Sequence, residues 1–475
     1  MSERNFDVIV IGAGPAGEVA AGRLAEGGLS VAIVEADHLG GECSFWACMP
    51  SKALLRPAEA LAEVARIPGA AEAVTGGLDV QATLARRDEV IHDLDDSGQV
   101  PWLEDKGIAL IREQGRLDGE RRVAAGEDVL VASRAVLVST GSAALMPPID
   151  GLEEARPWSN REITTAKEVP ARLAIIGGGV VGVEMAQAWS TLGSQVTVIE
   201  GGPRLIAREE AFAGELVAES LRERGVDVRL DSKVSKVSRD TRSGTGGEVV
   251  IELEEGSSKD SASVPDPAGS PVVADELVVA VGRRPLTGDL GVETVGLEPG
   301  EIIEVDDQMR ATGVEGDWLY AVGDVNGRVL LTHMGKYQAR AAAAVIMGEQ
   351  AVVTADGPVS PRVIFTDPQV AAVGHTLDSA QSEGLNVRAV DATTSGNAGG
   401  SFYGNDAPGT TRLVIDEDRR VVVGATFTGA EVADFLHAAT IAVVGEVPLE
   451  KLWHAVPSFP TRSEVWLKLF EEYGF

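Results

Sequence analysis

The residues that most clearly promise chemistry are two cysteines. Cys43 and Cys48 are the only cysteines among 475 residues, and four residues separate them. A structural disulfide across so short a loop would add little stability to a chain of this size. A metal site would need two further ligands, yet none of the six histidines belongs to a short-spaced pair. The spacing therefore favours a redox-active dithiol over two free core thiols.

The turn that carries the cysteines must be irregular if the sulfurs are to bond. Residues five apart in an ideal helix are about 140° out of phase. Gly40 and Gly41 before the pair and Pro50 after it are consistent with such a distortion. A helix that begins here would lower thiol pKa values through its amide ends, and Lys52 would add a positive charge. Without such neighbours, Lys52 would be typical of an exposed surface residue.

The segment before the cysteines has the pattern of a dinucleotide-binding unit. An apolar strand at 7–12, a helix and a second strand that ends in Glu35 surround three glycines with GxGxxG spacing. The first glycine permits a tight turn, the second lets the backbone approach a pyrophosphate, and the third lets helix and strand pack closely. These are Gly12, Gly14 and Gly17. Glu35 can then accept hydrogen bonds from ribose hydroxyls, while the helix N-terminus holds the phosphates.

The same pattern returns at residues 172–200, which predicts a second dinucleotide site. Its glycines are Gly177, Gly179 and Gly182. Glu200 stands 23 residues after the first of them, the same distance that separates Glu35 from the first glycine of the earlier unit. A carboxylate at this position repels a 2′-phosphate and favours NAD(H), while Arg204 nearby leaves NADP(H) open.

The rest of the chain is less specific. Residues 241–271 are rich in Gly, Ser, Asp and Pro and predict a long, mobile hairpin loop inside the second nucleotide-binding unit. From about residue 351, short β-type runs alternate with helical ones, which predicts an α+β domain. We therefore predict an α/β protein with two Rossmann-like dinucleotide-binding domains and a C-terminal α+β domain.

Composition limits the partners that the chain can bind. It has 41 basic and 73 acidic side chains, a net charge of −32, and no long basic stretch, so nucleic acid is not expected as a partner. Apolar stretches such as 341–347 are far shorter than the roughly 20 residues of a membrane-spanning helix. The N-terminus lacks the pattern of a secretory signal. We predict a cytoplasmic protein with no membrane span and no metal site.

Motifs along the whole chain resemble those of one family. Residues 40–52 are similar to the redox motif GG-T-C-x-N-x-G-C-x-P-S-K, although Glu42, Phe45 and Ala47 depart from it. Four shorter segments resemble further motifs of that family in the same order, at 139–142, 281–285, 320–324 and 365–374. The chain therefore resembles the FAD-dependent pyridine nucleotide-disulfide oxidoreductases, the family of dihydrolipoamide dehydrogenase, glutathione reductase and mercuric reductase.

The resemblance implies an architecture and a set of cofactors. Residues 1–148 and 282–350 would form a FAD-binding domain, 149–281 an NAD(P)-binding domain and 351–475 a dimerisation domain of a homodimer. FAD would bind at the first glycine loop and NAD(H) at the second. The implied cofactor-binding residues are Gly12, Gly14, Gly17, Glu35, Gly41, Lys52, Thr140, Gly141, Gly177, Gly179, Gly182, Glu200, Gly282, Gly323 and Asp324.

The resemblance also implies roles for the reactive groups. Electrons would pass from NAD(P)H through the flavin to a Cys43–Cys48 disulfide and on to a small-molecule or disulfide acceptor. Cys48 would be the thiolate beside the flavin, and Cys43 the interchange thiol that meets the acceptor. Lys52 and Glu184 match an ion pair near flavin N5 that stabilises the charge of the reduced flavin. Without the resemblance, Glu184 would be predicted to be a solvated helix residue.

The C-terminal motif departs from the family pattern. Members that reduce disulfides carry H-P-T-x-x-E, in which His and Glu act as acid and base on the partner subunit's thiols. Here Phe459 occupies the histidine position, although Glu464 is retained. Phenylalanine cannot transfer a proton, so dithiol–disulfide interchange should be slower by roughly 10²–10⁴-fold. His454 is a candidate substitute, but it is more typical of a surface or capping residue.

Two rival functions stay open at this point. An NAD(P)H-dependent reductase of quinones or metal ions in the same fold would need no proton relay at position 459. Mercuric reductase itself fits poorly, because a chain with only two cysteines lacks its C-terminal cysteine pair. A non-catalytic, flavin-binding subunit for assembly or sensing is the alternative from another class, and the intact thiol pair argues against it.

Overall fold

The computed structural model describes residues 2–240, 246–254, 270–404, 407 and 409–475. The chain divides into two units. The first comprises Met1–Pro50, Asp88–Leu145 and Gly282–Gly357, and the second comprises Ser51–Arg87, Met146–Val281 and Pro358–Phe475.

Strands and helices alternate through most of the chain. Among the described residues the strands are β1 (Glu3–Ile11), β2 (Val31–Val34), β3 (Ala109–Ile111), β4 (Gly115–Leu117), β5 (Arg122–Ala125), β6 (Asp128–Val138), β7 (Ser142–Ala144), β8 (Arg172–Ile176), β9 (Gln195–Ile199), β10 (Asp227–Arg229), β11 (Val234–Arg239), β12 (Val249–Leu253), β13 (Val272–Ala274), β14 (Glu276–Val279), β15 (Arg283–Pro285), β16 (Leu319–Ala321), β17 (Arg362–Ile364), β18 (Gln369–Gly374), β19 (Val387–Thr393), β20 (Thr410–Asp416) and β21 (Val421–Gly429). The helices are α1 (Pro15–Glu26), α2 (Gly41–Phe45), α3 (Cys48–Ala65), α4 (Val80–Val90), α5 (Val100–Asp105), α6 (Asn160–Thr165), α7 (Val180–Thr191), α8 (Ala211–Glu223), α9 (Thr332–Ile346), α10 (Leu377–Ser382), α11 (Leu436–Val444), α12 (Leu449–Leu452) and α13 (Val465–Tyr473).

The first unit is built on a seven-stranded sheet in the order β3-β2-β1-β6-β5-β4, with β16 also paired to β6. Strands β3, β2, β1, β6 and β16 run parallel, and β4 and β5 add an antiparallel edge. Val8 to Ile11 of β1 are almost fully buried, as expected for a parallel strand covered on both faces. Helices α1 and α9 pack together closely because Gly335 has no side chain: a Cβ there would lie 3.3 Å from the Cβ of Ala16.

The second unit contains three sheets. Strands β10-β9-β8-β14 form a parallel sheet, and β11-β12-β13 form an antiparallel one. The five-stranded antiparallel sheet β17-β18-β21-β20-β19 belongs to the C-terminal part of the chain, where α11 and α13 share its hydrophobic core. The predicted fold class, with two Rossmann-like parallel sheets and a C-terminal α+β region, is confirmed.

The loop prediction for residues 241–271 was too broad. Val249–Leu253 form β12, which pairs with both β11 and β13. Alternating burial along this strand places Val249 and Ile251 in the core, and this short period-2 pattern was masked by the polar residues around it. Residues 241–245 and 255–269 of the predicted loop lie outside the described residues.

In the part of the chain that the structure describes, no helix combines the length and the apolar character needed to cross a bilayer.

Candidate active site

The first glycine loop joins β1 to α1 and has the shape that a dinucleotide requires. Gly12 has φ +98°, and a Cβ there would lie 2.5 Å from the carbonyl oxygen of Ser139. A Cβ at Gly17 would lie 2.0 Å from the carbonyl oxygen of Gly12, so helix and strand could not approach as they do. A Cβ at Gly14 would meet nothing within 4 Å. The backbone at the start of α1 is therefore exposed to open space in which a pyrophosphate fits.

The carboxylate of Glu35 closes this loop from the end of β2. Its Oε2 accepts a hydrogen bond from the backbone N–H of Ala13 at 2.6 Å, and its Oε1 accepts one from Asp37 at 2.7 Å. Burial raises the pKa of Glu35, although these N–H groups partly offset that effect by stabilising its charge. Glu35 thus organises the loop itself, besides occupying the position from which an acid reaches a ribose.

The second glycine loop repeats the geometry between β8 and α7. Gly177 has φ +109°, and a Cβ there would lie 2.5 Å from the carbonyl oxygen of Ala280. A Cβ at Gly182 would lie 2.0 Å from the carbonyl oxygen of Gly177, whereas one at Gly179 would meet nothing within 4 Å. As in the first loop, the first and third glycines leave no room for a side chain, whereas the second faces open space. This loop therefore also suits a dinucleotide.

Glu200 in the second loop repeats the contacts of Glu35. It accepts hydrogen bonds from the backbone N–H groups of Gly178 at 2.6 Å and Gly202 at 2.7 Å. The guanidinium of Arg204 donates to the carbonyl oxygen of Ala207 at 3.0 Å. The carboxylate of Glu200 is therefore held at the loop, while the guanidinium of Arg204 is hydrogen-bonded within its own turn.

The two cysteines lie side by side across a break between helices. Cys43 is in α2, which ends at Phe45, and Cys48 is the first residue of α3. Both are thiols. A hydrogen bond to Cys48 and burial raise the pKa of Cys43 well above its ordinary value. Cys43 therefore favours its protonated form.

The surroundings of Cys48 favour negative charge on its sulfur. Its Sγ lies 3.5 Å from Oγ1 of Thr332, the first residue of α9. Two helices, α3 and α9, thus begin at this sulfur, and helix N-termini stabilise anions. The redox turn also packs on the first glycine loop, because a Cβ at Gly41 would lie 3.0 Å from the Cα of Gly14. The sequence alone had no signal that would place Thr332 here.

Two of the residues that depart from the family's redox motif have structural partners. Phe45 is buried in a small apolar cluster with Trp46 and Ile91, and the ring of His38 lies 5.2 Å from that of Phe45. Glu42 lies 3.6 Å from the guanidinium of Arg283. These contacts anchor the turn on both sides of Cys43.

Lys52 and Glu184 form an ion pair in the second unit. Nζ of Lys52 lies 2.7 Å from Oε2 of Glu184, whose Oε1 accepts a hydrogen bond from the backbone N–H of Phe365 at 2.9 Å. The ammonium group also lies 4.8 Å from the centre of the Phe365 ring. Glu184 is only 2 % exposed, so it is a buried paired carboxylate and not the solvated residue that its helical position alone would indicate.

Removing the lysine should destabilise the fold. We expect Lys52→Met to lower the free energy of unfolding by about 2–3 kcal/mol, since it leaves the Glu184 carboxylate buried without its cation. Lys106→Met is the matched control: it breaks a pair of the same 2.7 Å length with Glu26, whose side chain is 50 % exposed. That change should cost at most about 1 kcal/mol. Urea denaturation of the FAD-free proteins measures both changes in the free energy of unfolding. Equal losses in the two variants would contradict a buried, paired Glu184.

The motifs after β6 and β16 meet in the first unit. Asp324 accepts a hydrogen bond from the hydroxyl of Ser142 at 2.5 Å and lies 3.8 Å from Arg283. Burial raises the pKa of Asp324. The hydroxyl of Thr140 donates to the carbonyl oxygen of Leu286 at 3.0 Å. These residues lie on connections at the C-terminal edge of the parallel sheet, which is where ligands bind in such folds.

Three further predicted glycines lie at turns that favour glycine. Gly141 has φ +73°, Gly282 has φ +148° and Gly323 has φ +77°. The backbone N–H of Gly323 donates to the buried side chain of Gln338 at 2.8 Å, which fixes the loop after β16 against α9. The conformations are as expected for these motifs, while their contacts with a cofactor stay a prediction.

Position 459 in the C-terminal segment carries an exposed phenylalanine. The Phe459 side chain is 76 % exposed. One buried carboxylate oxygen of Glu464 has no hydrogen-bond partner among the described residues. His454 is exposed, and its backbone N–H donates to Lys451 at 3.0 Å. A catalytic role for Glu464 stays a prediction.

Helix α1 carries a carboxyl group with a raised pKa. Glu18, in the first turn of α1, has its pKa raised to about 7 by burial, with Lys336 opposing that effect and Glu35 adding to it. Glu18 and Lys336 belong to no motif, so local sequence patterns do not point to them. Their proximity follows from the packing of α1 on α9.

The raised pKa predicts that ionisation of Glu18 destabilises the fold. The folded state holds this proton until about pH 7, whereas the unfolded chain releases it near 4.5, so stability falls as the pH rises between these values. We expect the wild type to lose on the order of 2–3 kcal/mol relative to Glu18→Gln between pH 5 and pH 8. Urea midpoints of the FAD-free proteins at several pH values test this, and parallel curves would contradict it.

Comparison with known proteins assigns the family. Residues 6–344 match the pyridine nucleotide-disulphide oxidoreductases, and residues 360–470 match the dimerisation domain of that family. The chain belongs to the pyridine nucleotide-disulphide oxidoreductases.

Relatives extend over nearly the whole chain. Dihydrolipoyl dehydrogenase from Thermus scotoductus is 31% identical over 465 residues, which cover 97% of this chain and 96% of the relative. Dihydrolipoyl dehydrogenase from Chlorobaculum tepidum is also 31% identical, over 475 residues that cover 97% of this chain and 95% of the relative.

Solved structures have the same fold. The HOCl-induced flavoprotein disulfide reductase RclA from Escherichia coli, as its Cu(II) complex, aligns with a TM-score of 0.83 at 23% identity, covering 98% of this chain and 99% of that one. LpdA from Mycobacterium tuberculosis aligns with a TM-score of 0.82 at 22% identity over the full length of both chains. Family and relatives together make this protein an NAD(P)H-dependent flavoprotein oxidoreductase that uses FAD and NAD(H).

Proposed function

We propose that the enzyme carries electrons from NAD(P)H through FAD to the Cys43–Cys48 pair and on to an acceptor that takes no proton from a C-terminal base. The observation that carries this proposal is the hydrogen-bonded contact of the two sulfurs, on a turn packed against the first glycine loop. The coarser activity, a disulfide oxidoreductase like dihydrolipoamide dehydrogenase, is that of the family.

The residues present suit FAD in the first unit. The open backbone at Gly14 and the acid at Glu35 match its pyrophosphate and ribose, and Asp324 matches the ribityl side of the flavin. FAD bound by these residues would supply two-electron transfer from NAD(P)H to the Cys43–Cys48 disulfide, in which one hydride leaves NAD(P)H and one proton is taken up to give the dithiol. We assign 1–148 and 282–350 to the FAD-binding domain, 149–281 to the NAD(P)-binding domain and 351–475 to the dimerisation domain of a homodimer.

Each of the reactive residues receives a role from its surroundings. Cys48, at the N-termini of α3 and α9, is the sulfur that carries negative charge beside the flavin. Cys43 is the thiol that meets the acceptor. We assign to Lys52, which pairs with the buried Glu184, the family role of the cation that stabilises the charge of the reduced flavin. Glu464 keeps its family position but has no base to orient.

The nicotinamide site favours NADH in this proposal. Glu200 places a negative charge at the second glycine loop, where a 2′-phosphate would lie, and Arg204 is engaged with Ala207. Parallel measurements of kcat/KM with NADH and NADPH check this preference, and equal values would contradict it.

The residue at position 459 bears on the choice of acceptor. The exposed Phe459 supplies an aromatic surface where relatives that reduce disulfides carry a histidine. A quinone or a metal ion needs no proton from that position, and we favour these acceptors over a lipoyl disulfide. A panel of lipoamide, other disulfides, quinones and metal ions with NADH tests this, and rapid turnover of lipoamide by the wild type would refute it.

A further inference from the structure

One face of α9 brings two polar residues toward the thiols. Thr332 and Lys336 are four positions apart, so they lie on the same side of the helix. Thr332 lies 3.5 Å from the Cys48 sulfur and also hydrogen-bonds the Cys43 thiol. Lys336, one turn further, is half-buried. Burial raises the pKa of Glu18, and the charge of Lys336 opposes that effect.

We propose that Lys336 holds negative charge on the reduced Cys43–Cys48 pair, in place of the protonated base that Phe459 cannot provide. The inference rests on the proposed function and adds a positioning residue to it. A reduced dithiol is a good nucleophile only as a thiolate, and a fixed cation nearby stabilises that form. The N-terminus of α9 adds to the effect, because it directs its positive end at the same sulfur.

The charges around the pair support this assignment. Cys48 and burial raise the pKa of Cys43, whereas the hydroxyl of Thr332 and the positive charge of Lys336 lower it by smaller amounts. Glu42, the neighbour of Cys43 in sequence, is held 3.6 Å from the guanidinium of Arg283. The negative charge of Glu42 is therefore partly balanced by Arg283.

The ionisation state of Glu18 changes the electrostatic effect of Lys336 on the thiols. The charged groups that act on Glu18 are Lys336 from α9 and Glu35 from the end of β2. With Glu18 neutral, the cation acts on the thiols in full. When Glu18 ionises, near pH 7, it partly compensates that cation. The nucleophilicity of the dithiol should therefore depend on a residue that never touches it.

The test is alkylation of the reduced holoenzyme with iodoacetamide as a function of pH, with the labelled cysteine identified by mass spectrometry. Lys336→Met should raise the apparent pKa of the reactive thiol by about one unit and slow alkylation at pH 7 about tenfold, because the thiolate fraction falls by that factor. Lys336→Arg keeps the charge and should restore the wild-type profile. Glu18→Gln should increase the rate at pH 8 about two- to threefold.

Arg340→Met is the matched control, since it removes an exposed cation one turn further along the same helix. Its profile should coincide with that of the wild type. If the Lys336→Met profile also coincides with the wild type, the inference is wrong. If Lys336→Met fails to bind FAD, the same alkylation measurement on Lys336→Gln, which keeps a polar side chain, tests the inference.

The outcomes separate this inference from the proposed function. If NADH added anaerobically to the wild type gives no long-wavelength band of a thiolate beside a flavin, the proposed function fails whatever alkylation shows. If the wild type gives that band and Lys336→Met leaves both the band and the alkylation profile unchanged, only the role of Lys336 fails.

Discussion

Phe459→His should raise kcat/KM for lipoamide with NADH by about 10²-fold, the lower end of what a general acid–base contributes. The substitution supplies the missing proton carrier, and the acid that would orient it is already in place. One buried oxygen of Glu464 has no hydrogen-bond partner among the described residues, so it can accept a hydrogen bond from the new imidazole and fix its tautomer. Steady-state assays of the variant and the wild type measure the gain.

Two variants control this prediction. Phe459→Asn removes the aromatic ring without adding a base and should leave lipoamide turnover near the wild-type rate. Phe459→His combined with Glu464→Gln should lose most of the gain, because the imidazole is then less well oriented. A gain of the same size in Phe459→Asn would show that the phenylalanine merely blocks access, and the argument from proton transfer would fall.

The sequence was sufficient to predict the parts of the site that depend on local spacing. Both glycine loops, the acids that follow them and the cysteine pair are short-range patterns whose geometry is fixed by backbone sterics. A Cβ at Gly12 or Gly177 would collide with a carbonyl oxygen from a neighbouring strand connection. Such positions tolerate only glycine, and a spacing rule therefore finds them.

Local sequence patterns could not predict contacts between residues that lie far apart in the chain. Glu184 resembles a solvated helix residue until the fold places the Phe365 backbone N–H and Lys52 around it, from 181 and 132 positions away. Only the family resemblance pointed to this pair. Glu18 and Lys336 belong to no motif, and their proximity depends on how closely α1 and α9 pack.

Strand β12 was also not predicted, because its sequence signal is short. Val249 and Ile251 of β12 are buried, but five residues of alternating pattern are a weak signal when polar, glycine-rich sequence surrounds them. Their assignment as a strand depends on pairing with β11 and β13, and that information is not local.

Cys48→Ser should reduce turnover by about 10³-fold or more with every acceptor that takes its electrons from the thiols. The oxygen of serine cannot form a disulfide with Cys43. The variant should also lack the long-wavelength band when NADH is added anaerobically, because Cys48 is the sulfur at the N-termini of α3 and α9. A colourless wild-type protein, or a band that survives this substitution, would overturn the proposed order of electron transfer.

Cys43→Ser is the matched control, because it removes the other sulfur and leaves Cys48 in its favourable surroundings. Turnover with thiol-dependent acceptors should fall as strongly as in Cys48→Ser, whereas the band should persist. The pair of variants also separates the candidate acceptors. An acceptor that is reduced at the wild-type rate by both variants takes its electrons from the flavin directly, while one that both variants fail to reduce requires the dithiol. A non-catalytic flavin-binding subunit would show no difference among the three proteins, since none of them would turn over.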